Sequence, residues 1–291
     1  MKKTDFIATD GYLLNGFIYQ CEEATKDVIL SVHGMTSNCL KKRNDITARV
    51  ANKNNIDYFC FNNRGSDLAK YIKRKIENKE ERKLAGTSYE DVLEGYEDIV
   101  GAILKLKELG YENIYLQGHS LGCTKIVYTY NELLEEDDEV LNNIKGILLL
   151  SLVDIPRVLK IYLSDKYETY INLAEEKENK LELMPKDSFI HPVCAKTFLR
   201  YGKYNKEIDF VRYNEDGEHE KLNNIKVPLF MRWGTENEMI EQDPEELVEK
   251  VEKIIENPEK DINIIQGANH SYSGKEEIVA EQMIEFIKKY R

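Results

Sequence analysis

Ser120 sits at the centre of Gly118-His119-Ser120-Leu121-Gly122, a G-x-S-x-G pattern. It lies between an apolar run, 113–116, and a stretch where Cys123, Val127 and Tyr130 recur at helical spacing. In that setting the two glycines allow a sharp strand-to-helix turn that lifts the serine hydroxyl above the edge of a sheet. A serine hydroxyl is a poor nucleophile near neutral pH, so it needs a base within hydrogen-bond reach and a group that orients the base. His270, in Gly267-Ala268-Asn269-His270-Ser271-Tyr272 after the last apolar run, supplies a base. It follows the serine in chain order, as the histidine does where the nucleophile sits on such a turn. His33-Gly34-Met35 closes an early apolar run. There the Met35 backbone N–H can face a developing oxyanion beside the N–H of Leu121. Taken singly, each piece also reads as a glycine turn or a surface histidine. Their order along the chain favours acyl transfer.

These groups must be held by a scaffold, and the periodicity predicts an α/β chain. Residues 6–9 and 12–21 flank Asp10-Gly11, a hairpin signal, so the chain opens as two antiparallel strands at a sheet edge. Runs at 27–32, 56–61, 113–116, 143–152, 227–232 and 261–265 predict further strands, and the near-continuous 27–32 suits a strand covered on both faces. Ile46 and Val50 mark a short helix. Thr87-x-x-Glu90 reads as a capping box for a core-facing helix carrying Val92, Tyr96, Ile99, Ile103 and Leu106, stopped by Gly110. Asp243-Pro244-Glu245-Glu246 opens another helix, and Ser273-x-x-Glu276 caps a last one with Val279, Met283 and Phe286 on its buried face. The Lys, Arg and Glu mixture from 70 to 83 predicts a solvated helix or loop.

The alternation fails from 154 to 226, where helical and polar pieces carry Tyr162, Tyr167, Tyr170, Phe189, Phe198, Tyr201, Tyr204, Phe210 and Tyr213. A long insertion in an α/β pattern predicts a cap over a site. The expected division is a core of 1–153 and 227–291 with a cap or lid at 154–226. His191 and His219 fall in the insertion without ligand spacing and read as ordinary polar residues.

Composition narrows the function classes. A net charge of −12 over 291 residues excludes a basic nucleic-acid binder. No apolar run nears the roughly 20 residues of a membrane helix, and no signal-peptide core follows the charged start, so a cytoplasmic protein without a membrane partner is expected. Five scattered cysteines with no C-x-x-C pair predict reduced, mostly buried thiols, with Cys123 packing rather than reacting. No cofactor and no metal are implied, and the oligomeric state is open.

At this point the chain resembles the α/β-hydrolase superfamily of serine hydrolases over nearly its whole length. His33-Gly34 resembles the family's oxyanion loop, Arg64-Gly65 its post-strand motif, 118–122 its nucleophile elbow and 267–270 its histidine loop. More narrowly, 61–65, 120–125 and the aromatic insertion are similar to the branch that includes siderophore-ester hydrolases. The resemblance implies a mostly parallel central sheet with helices on both faces, Ser120 as nucleophile, His270 as general base and then acid, and Met35 and Leu121 as oxyanion donors. It also exposes a departure. The family places an aspartate three residues after the glycine that ends the penultimate strand, and here that position, counted from Gly234, is Asn237. Glu238 or Glu236 beside it is favoured as the acid; Asp154 is an alternative, as is Asn237 itself, orienting the ring as an uncharged amide. An amide in that role lowers turnover by about four orders of magnitude, so an active enzyme requires a carboxylate near His270. The expected activity is carboxylic ester hydrolysis through an acyl-enzyme, on a small-molecule ester with the cap aromatics holding its acyl or alcohol part. Peptidase or amidase action and a non-catalytic ligand-binding role are the alternatives.

Overall fold

The computed structural model describes residues 1–76, 79–213 and 219–291. Its strands are β1 (Lys2–Ile7), β2 (Leu13–Tyr19), β3 (Asp27–Val32), β4 (Asp57–Asn62), β5 (Lys70–Ile76), β6 (Lys79–Ala85), β7 (Asn113–His119), β8 (Ile144–Leu150), β9 (Leu229–Gly234) and β10 (Lys260–Ile265). Its helices are α1 (Lys42–Asn52), α2 (Gly95–Glu108), α3 (Leu121–Glu135), α4 (Ile155–Leu163), α5 (Tyr167–Glu176), α6 (Ala195–Gly202), α7 (Glu220–Asn223), α8 (Pro244–Ile254) and α9 (Glu276–Tyr290).

The continuous apolar runs become central strands. β3 and β9 bury all six of their residues, which requires cover on both faces. Among the described residues eight strands form one sheet in the order β1-β2-β4-β3-β7-β8-β9-β10. The Asp10-Gly11 turn pairs β1 with β2 antiparallel, and β2 pairs antiparallel with β4. From β4 onward every neighbour is parallel.

Alternation along β3 divides the core in two. Val28, Leu30 and Val32 join a cluster with Ile99 and Ile103 of α2 and Ile126 of α3, while Ile29 joins one with Ala48 of α1 and Val279 and Met283 of α9. Helices therefore cover both faces. After β3 the chain steps to β4 on one side and later returns to β7 on the other. Crevices at such a reversal, beyond the carboxyl ends of the strands, are where open α/β sheets bind ligands. Here the two strand ends at the reversal carry His33-Gly34 and His119-Ser120.

Three local expectations are corrected. The charged stretch from 70 to 83 is an antiparallel hairpin of β5 and β6, with residues 77–78 outside the described residues. A charge pair spans the ladder, Lys73 Nζ lying 3.2 Å from Glu80, and Ile72 is buried in the larger core cluster. Thr87 does not cap a helix: its hydroxyl donates to Gly65 O and accepts from Thr36 N–H, and Asp91 caps the short turn that leads into α2. Ser273 does not cap α9 either, whose first turn follows Lys275 without a side-chain cap. The Asp243 cap of α8 is present, accepting from the N–H groups of Glu245 and Glu246.

Between β8 and β9 the chain forms α4 to α7, with 214–218 outside the described residues. This segment has an apolar cluster of its own around Leu159, Leu163, Ile171, Phe198 and Tyr201, which also takes in Val92 and Leu121.

Candidate active site

Ser120 adopts φ 55° and ψ −126°, a region a side chain rarely occupies. The turn is pinned on both sides: Ser120 N–H donates to Leu150 O at the end of β8, and Cys123 N–H donates to Ser120 O, each at 2.9 Å. Tight packing explains the glycine pattern. A Cβ on Gly122 would lie 2.2 Å from Val32 O, so α3 approaches β3 only because that atom is absent. A Cβ on Gly34 would lie 2.9 Å from Ser120 Cβ and 3.3 Å from Leu121 N, so the loop after β3 is pressed against the start of α3. Met35 follows directly and lines the same cavity as Ser120.

His270 reaches that cavity from the loop after β10. Its Nδ1 lies 2.7 Å from Glu238 Oε2. The four acid candidates separate clearly. Asn237 takes a left-handed φ of 51°, which turns the chain back so that Glu238 Oε1 accepts from Gly234 N–H at 2.8 Å and from Ser151 Oγ at 2.6 Å. The Glu238 side chain is 1 % exposed. Glu236 and Asn237 are exposed. Asp154 is occupied elsewhere, capping α4 through Arg157 N–H and accepting from Tyr204 Oη. Burial on its own raises the Glu238 pKa, but the hydrogen bond and charge interaction with His270, with the bonds from Ser151 and Gly234, outweigh it and hold the carboxyl below its ordinary value.

Several residues of this constellation carried no signal in the sequence. His119, the variable position of the G-x-S-x-G pattern, is buried and kept neutral by desolvation and by the nearby Arg43 charge. Its Nε2 therefore donates to His270 O, at 2.7 Å, and fixes the backbone of the histidine loop. Ser151 and Tyr272 form the support behind Glu238, their oxygens 2.9 Å apart, with Tyr272 Oη donating to Arg232 O. Arg64, of the post-strand motif, points away from this chemistry: its guanidinium binds Asp98 and Asp10.

Ser120 and His270 share a cavity of about 660 Å³. From the helical segment, Tyr162 and Phe189 line it, together with Ile155 and Val158 of α4. Most of the segment's other aromatics serve packing: Phe198, Tyr201, Phe210 and Tyr213 are each buried in apolar clusters. His191 also lines the cavity, so it is more than the ordinary polar residue its spacing implied. The five cysteines are free thiols, and Cys123 is buried with its Sγ on Leu150 O.

Compared with solved structures, nearly the whole chain aligns with Est1E from Butyrivibrio proteoclasticus in its ferulic-acid complex, with a TM-score of 0.67, 17% identity and 98% of each chain covered. The chain has the α/β-hydrolase fold. The same fold is seen in the α/β hydrolase GrgF from Penicillium sp. sh18, with a TM-score of 0.67, 14% identity, and 99% of this chain and 98% of that one covered. A soluble variant of monoglyceride lipase from Saccharomyces cerevisiae aligns with a TM-score of 0.66 and 14% identity over 98% of this chain and 94% of that one. No family model and no curated protein matches the sequence. Within the α/β-hydrolase fold, β3, β7, β9 and β10 present 33–35, Ser120, Glu238 and His270 from their carboxyl ends. Among the described residues no helix is long and apolar enough to cross a membrane.

Proposed function

We propose that the protein is a serine hydrolase that cleaves carboxylic esters through an acyl-enzyme on Ser120. The observation that carries this is Ser120 and His270 on one cavity with the His270 ring fixed by a buried carboxylate, Glu238, at 2.7 Å. In this mechanism His270 Nε2 takes the Ser120 proton as the hydroxyl attacks the ester carbonyl. Glu238 accepts from Nδ1–H, selects the tautomer and stabilises the imidazolium. The tetrahedral oxyanion is met by the N–H groups of Met35 and Leu121, a role supported by the close packing of Gly34, which precedes Met35, against Leu121 N. Collapse expels the alcohol, protonated by His270, and water repeats the sequence to release the acid. The segment 154–226 acts as the cap and supplies Tyr162, Phe189, Ile155 and Val158 to the substrate. Structural neighbours whose names include an esterase from Pyrococcus furiosus and a monoglyceride lipase support an ester over an amide.

The test is a fluorophosphonate probe followed by ester, thioester and amide panels. Ser120 is expected to label, with labelling absent in Ser120→Ala and sharply reduced in His270→Ala, and esters are expected to turn over fastest. A folded wild type that neither labels nor hydrolyses any ester overturns the reading in favour of a ligand-binding protein.

A further inference from the structure

Arg43, the second residue of α1, is 8 % exposed and lines the Ser120 cavity. Its guanidinium is poorly satisfied. Nε has no hydrogen-bond partner, and Nη1 has only a long bond to Ser271 O at 3.5 Å. Among the described residues no carboxylate comes within ion-pair distance of it. Glu276, on the same cavity wall, instead has Oε1 3.4 Å from Lys42 Nζ.

An arginine cannot shed its proton to escape burial, so an unpaired buried guanidinium carries its desolvation cost unless an anion arrives to offset it. The surroundings are set for one. Lys41 and Lys42, both exposed, line the cavity beside Arg43, so among the described residues three cations face one carboxylate there, in a chain whose net charge is −12. The local charge is opposite to that of the molecule. A planar guanidinium with open donors matches the two-pronged geometry of a carboxylate or phosphate.

We propose that Arg43, with Lys41 and Lys42 at the rim, binds an oxyanion group carried by the substrate, a carboxylate or a phosphate, so that the preferred esters are anionic ones. This rests on the hydrolase reading of the same cavity for the word substrate, while the anion site itself stands on Arg43. One charge-assisted pair of this kind is expected to give a preference of about 10- to 100-fold.

The experiment compares nitrophenyl esters of glutaric acid, with its free carboxylate, and of glutaramic acid, its neutral amide. A third ester ending in a phosphonate separates the two anion chemistries. Wild type is expected to favour an anionic ester over the amide by at least tenfold in kcat/KM. That ratio collapses towards unity in Arg43→Gln and drops several-fold in Arg43→Lys, which keeps the charge and loses the fork. A second arm does not need turnover: glutarate and methylphosphonate are titrated calorimetrically into Ser120→Ala, and saturable binding is expected to vanish when Arg43→Gln is added. Should Arg43→Gln not fold, Arg43→Lys carries both arms. A ratio near one in wild type, a ratio unmoved by either variant, or anion binding independent of Arg43 overturns the proposal. Arg43-dependent anion binding in a protein that labels with no probe and cleaves no ester leaves the anion site standing and removes the hydrolase reading.

Discussion

Tyr201 Oη donates to Glu90 Oε2 at 3.0 Å, and the other oxygen of that carboxylate is held by Lys125, one turn into the helix behind Ser120. The Glu90 and Lys125 side chains are each 1 % exposed. Thr197, also on α6, donates to Glu90 O at 2.8 Å. The helical segment is thus bolted to α3 through one buried acid, and none of Tyr201, Glu90 and Lys125 lines the Ser120 cavity. Tyr201→Phe leaves that acid short of a donor. It is expected to cost about 1–3 kcal/mol in urea unfolding, with faster amide exchange across α6. An unchanged midpoint would show that the bond contributes nothing net.

Glu238 is the residue whose loss should be felt most after Ser120 and His270. Glu238→Gln keeps the shape and removes the charge opposite the imidazolium, so kcat on a nitrophenyl ester is expected to fall by about three to four orders of magnitude. Glu236→Gln and Asn237→Asp, at exposed positions, are expected to change it by less than about threefold. A large loss in Glu236→Gln with a small one in Glu238→Gln would reverse the assignment.

Acid should destabilise the protein, in a window set by its buried rings. Burial, reinforced by the Lys125 charge, pushes the His33 pKa down to about 3, and burial pushes His191 down to about 4. His33 is satisfied only as a neutral ring, Nδ1 donating to Gly34 O and Nε2 accepting from Asn63 N–H. Between about pH 6.5 and those values the unfolded chain binds the protons that the folded one refuses, so stability declines as pH falls. His33 alone contributes a slope of up to about 1.4 kcal/mol per pH unit. Glu238 adds to the same trend lower down, because its depressed pKa gives stability that is complete above the unfolded value near 4.5 and is lost as pH falls through the folded one. Urea midpoints from pH 7 to pH 4.5 should fall steadily, and His191→Asn should flatten the fall. A flat profile in wild type would refute this.

Arg64 has a structural task. Its backbone N–H, Nε and Nη2 all donate to Asp98, which is fully buried, and its remaining donors reach Asp10 in the β1–β2 turn. Arg64→Met strands the Asp98 charge in the core and is expected to cost about 3–5 kcal/mol in denaturant unfolding. Adding Asp98→Asn to Arg64→Met should recover part of that loss.

The central strands were readable from the sequence because each is an uninterrupted apolar run, and the serine turn and histidine loop because they sit at the ends of such runs. The β5–β6 hairpin was not readable. Its paired strands carry mostly charged residues, Arg74 directly opposite Glu81 and Lys73 diagonal to Glu80, with no apolar alternation to betray the pairing. The Thr87 box failed for a tertiary reason, since its hydroxyl is taken by Gly65 and Thr36 from other parts of the chain. Counting residues from Gly234 pointed to Asn237, but a left-handed turn at that residue carries the next side chain, Glu238, to the ring. Arg43 was hidden within a basic triplet, where nothing distinguishes the one side chain that folds inward.

The backbone at Ser120 has a thermodynamic consequence. Holding a side chain at φ 55° costs on the order of 1–3 kcal/mol, and glycine at the same position is free of that cost. Two substitutions at this position should therefore differ in heat resistance: Ser120→Gly is expected to melt about 2–4 °C above Ser120→Ala, as read by calorimetry. Equal melting points would mean that the turn is relaxed. The hydroxyl is presented by a fold that would be more robust without a side chain there, so selection for thermal endurance alone would tend to erase the chemistry proposed for it.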